Sequence, residues 1–152
     1  MGIERIGVIG AGQMGNGIAH VLSLAGFDVM LEDINADQLG KAIDRIGKNM
    51  HRQAARGLIK DELVEPALKR IHTAQNLDAM QDRDLVIEAA TEDETVKRKI
   101  FQDLCPRIGK NTLIATNTSS ISVTRLASST DRPEHFIGLH FMNPVPMMQL
   151  VE

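Results

Sequence analysis

The sequence predicts an α/β protein built on a doubly wound, mostly parallel sheet with flanking helices. Two observations carry that prediction. Apolar, strand-like runs alternate with segments of helical period along the whole 152 residues, and the first such run passes directly through a glycine cluster into a helix. A chain of this length is one domain's worth and can bury about two-thirds of the surface its unfolded form exposes.

Each element has its own justification. Residues 3–9, "IERIGVI", read as a buried strand. The helix after the glycines carries Met14, Ile18, Val21, Leu22 and Ala25 at helical spacing and closes at Gly26. "FDVMLED", 27–33, is a second strand ending in two acids. Asn35 or Ala36 opens a long helix to about Arg56, with Gly57 as its stop. "KDELVEPALKRI", 60–71, is helical by composition with Asp61 as N-cap, and Pro66 inside it should kink or restart the helix. "IHTAQ" is a weak strand and "DLVIEAA", 84–90, a strong one. "ETVKRKIFQDLC" is a helix with Val96, Ile100 and Leu104 on one side, ended by Pro106. "NTLIATN", 111–117, is the next strand, "SVTRLAS" a short helix, "HFIGLHF", 135–141, a strand, and "MQLVE", 148–152, a terminal strand.

Composition narrows the function classes. A net charge of -3 gives no electrostatic footprint for nucleic acid, and the absence of Trp and Tyr removes the usual stacking platform for single strands. The lone Cys105 excludes an internal disulfide and a cysteine-rich zinc site, and no metal site is expected. Glu4 and Arg5 interrupt any signal-peptide core, no run approaches 18 apolar residues, and Ile6 breaks the myristoylation pattern. The expectation is a cytoplasmic protein.

"GAGQMG" places Gly10, Gly12 and Gly15 in a G-x-G-x-x-G pattern between a strand and a helix, and the acidic pair Glu32-Asp33 ends the following strand. In that context Gly10 permits the tight turn, Gly12 lets a pyrophosphate approach closely, and Gly15 allows the helix to pack on the strand. Free N–H groups at the helix start attract phosphates. An acid at the end of the second strand accepts hydrogen bonds from ribose hydroxyls and repels an additional 2′-phosphate. Asp33, last in that strand, is the better candidate, and no Arg follows closely, so NAD is favoured over NADP.

Ligands of open α/β sheets lie beyond the carboxyl ends of the strands. Three polar clusters fall there: Thr91-Glu92, Asn117-Thr-Ser-Ser120, and His140 with Asn143. They should converge on one crevice. Read from the residues alone, Glu92 and Lys97 are equally the acidic start of a helix and a solvated lysine, and "NTSS" reads first as a run of helix caps. His140 is equally a satisfied strand-end histidine or a base for a hydroxyl proton, since imidazole titrates near neutrality. A carboxylate on its other ring nitrogen would fix the tautomer, and the Asn143-Pro-Val-Pro146 turn can return Glu152 to its side. His20, His51, His72 and His135 sit on helices or strand edges.

The stretches "GVIGAGQMGNGIA", "DLVIEAATEDETVK", "IATNTSSISVTRLA" and "GLHFMNPVPMMQLVE" together resemble the NAD-binding, Rossmann-type domain of the L-3-hydroxyacyl-CoA dehydrogenases, over residues 3–152. The resemblance implies oxidation of a 3-hydroxyacyl-CoA to the 3-keto ester with NAD, or the reverse. It makes His140 the catalytic base and Glu152 its partner. Ser119 would touch both substrate and nicotinamide. Asn143 would touch the cofactor, Glu92 and Lys97 its nicotinamide side, and Met14 and Asp33 its adenosine side. Gln13, Ala90, Thr91 and Asn117 complete the cofactor-facing set.

Lys41, Arg45, Lys48, Arg52 and Arg56 recur at three- and four-residue steps and share one helical face, interleaved with Asp37 and Asp44. A solvated face accounts for them equally well. In the family this helix borders the CoA site, which makes Asn49, Arg52 and Arg56 candidate substrate contacts, although the family usually has Ser and Lys at positions 49 and 56. Family members continue into a helical domain that supplies dimer contacts and part of the acyl-CoA pocket. This chain is therefore expected to be the 1–152 cofactor domain of a longer protein, binding NAD with little turnover alone and forming a homodimer at full length. The competing expectations are a non-catalytic, crystallin-like dinucleotide-binding scaffold and a related hydroxy-acid or sugar-acid dehydrogenase.

Overall fold

The computed structural model describes residues 2–152. Its strands are β1 (Arg5–Ile9), β2 (Asp28–Glu32), β3 (Ile71–Ala74), β4 (Leu85–Glu88), β5 (Leu113–Thr116) and β6 (Phe136–Gly138). They form a single parallel sheet in the order β3-β2-β1-β4-β5-β6. Strand order reverses between β1 and β4, the switch point at which doubly wound sheets leave a crevice.

Parallel strands covered on both faces must be apolar on both, and the alternation of side chains divides this sheet between two cores. Ile6, Val8, Val29, Leu31 and Ile87 pack beneath α1 (Gln13–Leu24), α2 (Ala36–Ala55) and α3 (Val64–Lys69). Ile9, Val86 and Ile114 face Phe101 and Leu104 of α4 (Glu94–Leu104) and Leu126 of α5 (Val123–Ala127). Phe101, fully buried, meets Phe136 edge to face at 5.1 Å. The register aligns Ala74, Glu32, Ile9, Glu88, Thr116 and Gly138 as one row at the carboxyl edge of the sheet. Polar residues in that row therefore open onto the same crevice or lie just beneath it.

The caps explain the boundaries. Gly26 and Gly57 stop α1 and α2 with φ of +102° and +73°, where a side chain would be strained. Asn35 caps α2 through Asp37 and Gln38 N–H, and Asp93 caps α4 through Val96 N–H.

Several expectations are corrected. Asp61 is not an N-cap: it begins a 3₁₀ turn, Asp61–Leu63, whose Lys60 cap has no side-chain bond. The α-helix restarts at Val64, which puts Pro66 in its first turn, where a missing N–H costs nothing. Val96 is 42% exposed, because α4 presents Lys97, Phe101 and Leu104 to the core instead. The strand expected over 135–141 is paired only over Phe136–Gly138, and His135 lies in a 3₁₀ turn. The terminal strand is reduced to one antiparallel bridge, Phe141 with Val151, since the Pro144 and Pro146 turn leaves too little chain for a ladder.

Candidate active site

The glycine turn joins β1 to α1, and each glycine is held there by a different constraint. Gly10 has φ +100°, and a Cβ on it would lie 2.6 Å from the Ala89 carbonyl oxygen. A Cβ on Gly15 would lie 1.6 Å from the Gly10 carbonyl oxygen, so α1 can sit against β1 only without a side chain there. A Cβ on Gly12 meets nothing within 4 Å. Protein packing accounts for Gly10 and Gly15, whereas Gly12 faces open crevice and is explained by the room it leaves. Gly12 is also the N-cap of α1, and no side chain caps that helix. A glycine without a steric neighbour at an uncapped helix start fits a pyrophosphate.

The crevice has two chambers that share Ala89 and Ala90. The larger, of about 470 Å³, is lined by Gly10, Gly12, Glu32, Asp33, Thr91 and the apolar Ile34, Leu77, Val96 and Ile100. Asp33 Oδ2 accepts a hydrogen bond from Ala11 N–H at 2.9 Å and its Oδ1 one from Asn35 N–H at 2.9 Å, which fixes the carboxylate. Glu32 is only 3% exposed; burial, reinforced by the charge of Asp33, pushes its pKa up to about 7.

The smaller chamber, of about 220 Å³, is lined by Met14, Glu92, Lys97, Asn117, Ser119, His140 and Asn143. The three polar clusters expected to converge therefore do so, except that Thr91 faces the larger chamber. Gln13 lines neither chamber, but its amide donates to Asn143 Oδ1 at 3.1 Å. Asn117 Oδ1 accepts from Phe141 N–H at 2.9 Å and ties the β5 end to the chain beside His140.

His140 and Glu152 are brought together by backbone as well as side chain. His140 N–H donates to the Glu152 carbonyl at 2.7 Å and Glu152 N–H to the His140 carbonyl at 2.9 Å. This clasp leaves His140 Nδ1 3.3 Å from Glu152 Oε2, with the Glu152 side chain 70% exposed. Nε2 is the ring nitrogen that Glu152 leaves free.

Lys97 is not a solvated lysine. It is 1% exposed, and its Nζ lies 2.6 Å and 2.8 Å from the two oxygens of Glu88, itself fully buried, and 3.5 Å from Glu92. Burial works against ionisation of Glu92, but hydrogen bonds from Ser120 and Thr118 and the Lys97 charge outweigh it and hold its carboxyl below the usual range. "NTSS" is likewise not the cap of α5, which is Ser122; Thr118 and Ser120 serve Glu92. Sequence reasoning missed Glu88 and Thr116. The available signal was an acid inside the apolar run "DLVIEAA", which requires a buried partner.

Asn49, Arg52 and Arg56 line a separate open cleft between the end of α2 and residues 144–149, with Val21, Leu24, Pro146, Met147 and Met148 as its apolar wall. Lys41, Arg45 and Lys48 do not reach it, and Lys48 pairs with Asp44 at 2.9 Å. His20 is buried against Gln53 in α2, and desolvation lowers its pKa; His51 and His72 stand beside Glu65 and Asp28. Among the described residues no group of three His, Cys, Asp or Glu stands together to hold a metal, and no helix is long and apolar enough to cross a membrane.

A 3-2-1-4-5-6 parallel sheet, with an uncapped glycine-rich helix start at its switch point and acids at the end of the second strand, defines a dinucleotide-binding domain of the Rossmann type. Residues 5–152 match the family model described as 3-hydroxyacyl-CoA dehydrogenase, NAD binding domain. The chain belongs to the 3-hydroxyacyl-CoA dehydrogenase family, and the cofactor is NAD. It is 57% identical over 150 residues to a 3-hydroxybutyryl-CoA dehydrogenase of Bradyrhizobium diazoefficiens, covering 99% of this chain and 51% of that protein. It is 43% identical over 150 residues to the 3-hydroxyadipyl-CoA dehydrogenase of Escherichia coli, covering 99% of this chain and 32% of the other. The crystal structure of (S)-3-hydroxybutyryl-CoA dehydrogenase from Ralstonia eutropha superposes with a TM-score of 0.95 at 40% identity, over 99% of this chain and 53% of that one. The chain thus spans about half the length, or less, of these relatives.

Proposed function

We propose that this chain is the cofactor-binding half of an enzyme that oxidises an L-3-hydroxyacyl-CoA to the 3-ketoacyl-CoA, or reduces it back, in fatty-acid or hydroxybutyrate metabolism of the cytoplasm. The observation that carries the reading is the His140 and Glu152 clasp opening into the chamber that also holds Ser119 and Asn143. His140 Nε2 takes the proton of the 3-hydroxyl, and Glu152 on Nδ1 stabilises the imidazolium and fixes the ring. Bound NAD supplies the hydride acceptor. Gly10, Gly12 and the start of α1 hold its pyrophosphate. Asp33 takes the adenosine ribose, while Met14, expected on the adenosine side, lines the smaller chamber instead and with Ala90, Asn117, Asn143, Glu92 and Lys97 surrounds the nicotinamide half. Ser119 orients the substrate beside it. Arg52 and Arg56, with Asn49, receive the CoA phosphates along the cleft at the end of α2.

The relatives are about twice as long as this chain, and in a full-length subunit, expected to form a homodimer, the remaining half would stand over the open cleft of residues 144–149. The 152-residue chain alone should bind NADH with little turnover. The same chain extended to its relatives' length should form NADH from 3-hydroxybutyryl-CoA. In that extended protein His140→Ala should lower turnover about 10²- to 10⁴-fold and leave NADH affinity unchanged. NADH binding without turnover of any CoA ester, in both forms, would favour a non-catalytic scaffold; turnover of free hydroxy acids instead would shift the reading to another dehydrogenase.

A further inference from the structure

The nicotinamide chamber carries an uneven set of charges. Two carboxylates, Glu88 and Glu92, flank a single ammonium, Lys97, at 2.6 Å and 3.5 Å. Glu88 is fully buried at the end of β4, and its two oxygens accept from Thr116 Oγ1 at 2.7 Å, Ala90 N–H at 2.9 Å and Lys97 twice. That buried pair is closed upon itself. Glu92 is the member left facing the chamber, 47% exposed, and its hydrogen bonds from Thr118 and Ser120 favour the carboxylate. The other titratable residue lining the chamber is His140, with Glu152 behind it.

We infer that Glu88 and Glu92, acting on the one ammonium of Lys97, leave the chamber with a net negative charge that favours the oxidised, cationic nicotinamide over the neutral reduced ring. Glu88 is the positioning residue: it engages most of the Lys97 charge below the chamber floor, so that Glu92 is not neutralised. The two cofactor forms share their adenosine and pyrophosphate parts. The cluster therefore acts on the ratio of their affinities, and through it on the balance between oxidation and reduction at the site. This inference rests on the assignment of the smaller chamber to nicotinamide.

The experiment is equilibrium titration of the 152-residue chain with NADH by its fluorescence, and with NAD⁺ by displacement of NADH. Glu92→Gln removes the charge on the exposed side of the cluster, where folding is spared. It should shift the ratio of dissociation constants toward NADH on the order of three- to tenfold at low salt, with a smaller shift at high salt. Glu88→Gln, if it folds, should move the ratio the same way. A merely structural loosening lowers both affinities together and leaves the ratio fixed. Binding of both forms with the native ratio in Glu92→Gln overturns this inference alone. Failure of the unaltered chain to bind either form overturns the functional reading, and this inference with it.

Discussion

Lys97 and Glu32 show what a one-dimensional reading loses at the level of single residues. Both sit where the pattern would admit a solvated charge, yet they are 1% and 3% exposed. Lys97 is buried because Glu88 lies across the gap between β4 and α4, nine positions earlier. No local period encodes that pairing, and only the acid inside an apolar strand hinted at it. Among the described residues no cation pairs with Glu32, and the consequence is a dependence on pH. Its folded pKa of about 7 stands above the ordinary value of 4.5, so ionisation opposes folding. Its contribution is fully present below pH 4.5 and is lost as pH rises through 7. Glu32→Gln should therefore stabilise the chain at pH 8, on the order of 2 kcal/mol, and leave it unchanged at pH 4. Urea denaturation at the two pH values measures this, and an equal effect at both would count against it.

The helices and strands were legible to the extent that local chemistry sets them. Gly26 and Gly57 end helices because a positive φ is needed there, and Asn35 caps α2 through its own side chain. The misread elements are those fixed by contacts remote in sequence. Nothing within "MQLVE" says that a single bridge to Phe141 is all the pairing it will find, and Val96 is turned outward because Lys97 takes the inward place. The β1-α1 unit offers the sharpest test of how elements depend on one atom. Gly15→Ala places a Cβ 1.6 Å from the Gly10 carbonyl, a contact that α1 can relieve only by moving off β1. The phosphate-binding turn moves with it. Gly15→Ala should cost at least about 1–3 kcal/mol of stability and reduce NADH affinity more than tenfold, by calorimetry. Gly12→Ala, with no atom beyond its own chain neighbours within 4 Å of its Cβ, should lose affinity at nearly native stability.

Across the whole molecule, the crevice draws on both halves of the sheet: Asp33 follows β2 on one side of the switch point, and Ser119 follows β5 on the other. A dinucleotide lying along it ties the two halves together, so binding and folding are linked. At a free concentration 100 times its dissociation constant, NADH should add about 2.7 kcal/mol. For a chain of this size that is roughly 5–10 °C in melting temperature. NADPH at equal concentration should give a clearly smaller shift if Asp33, as proposed, takes the adenosine ribose, because its carboxylate would repel the additional phosphate. Equal shifts in a thermal melt would contradict that reading of Asp33. The doubly wound architecture was visible from the alternation of elements, whereas the strand order was not. The meeting of His140, Glu92 and Ser119 in one chamber followed from the rule that strand ends share an edge.

The clasp at His140 also has a bearing on how this segment can vary. Because the two residues exchange both backbone hydrogen bonds, the loop of twelve steps between them is measured in residues and not in distance. A strand's side chains alternate in direction, so one residue gained or lost before Glu152 would present its neighbour's side chain instead and aim the carboxylate away from the imidazole. The loop is thus fixed in its length as well as at the buried Phe141 and Val145: the exposed positions 147–150 can change without moving the pair, and single insertions cannot.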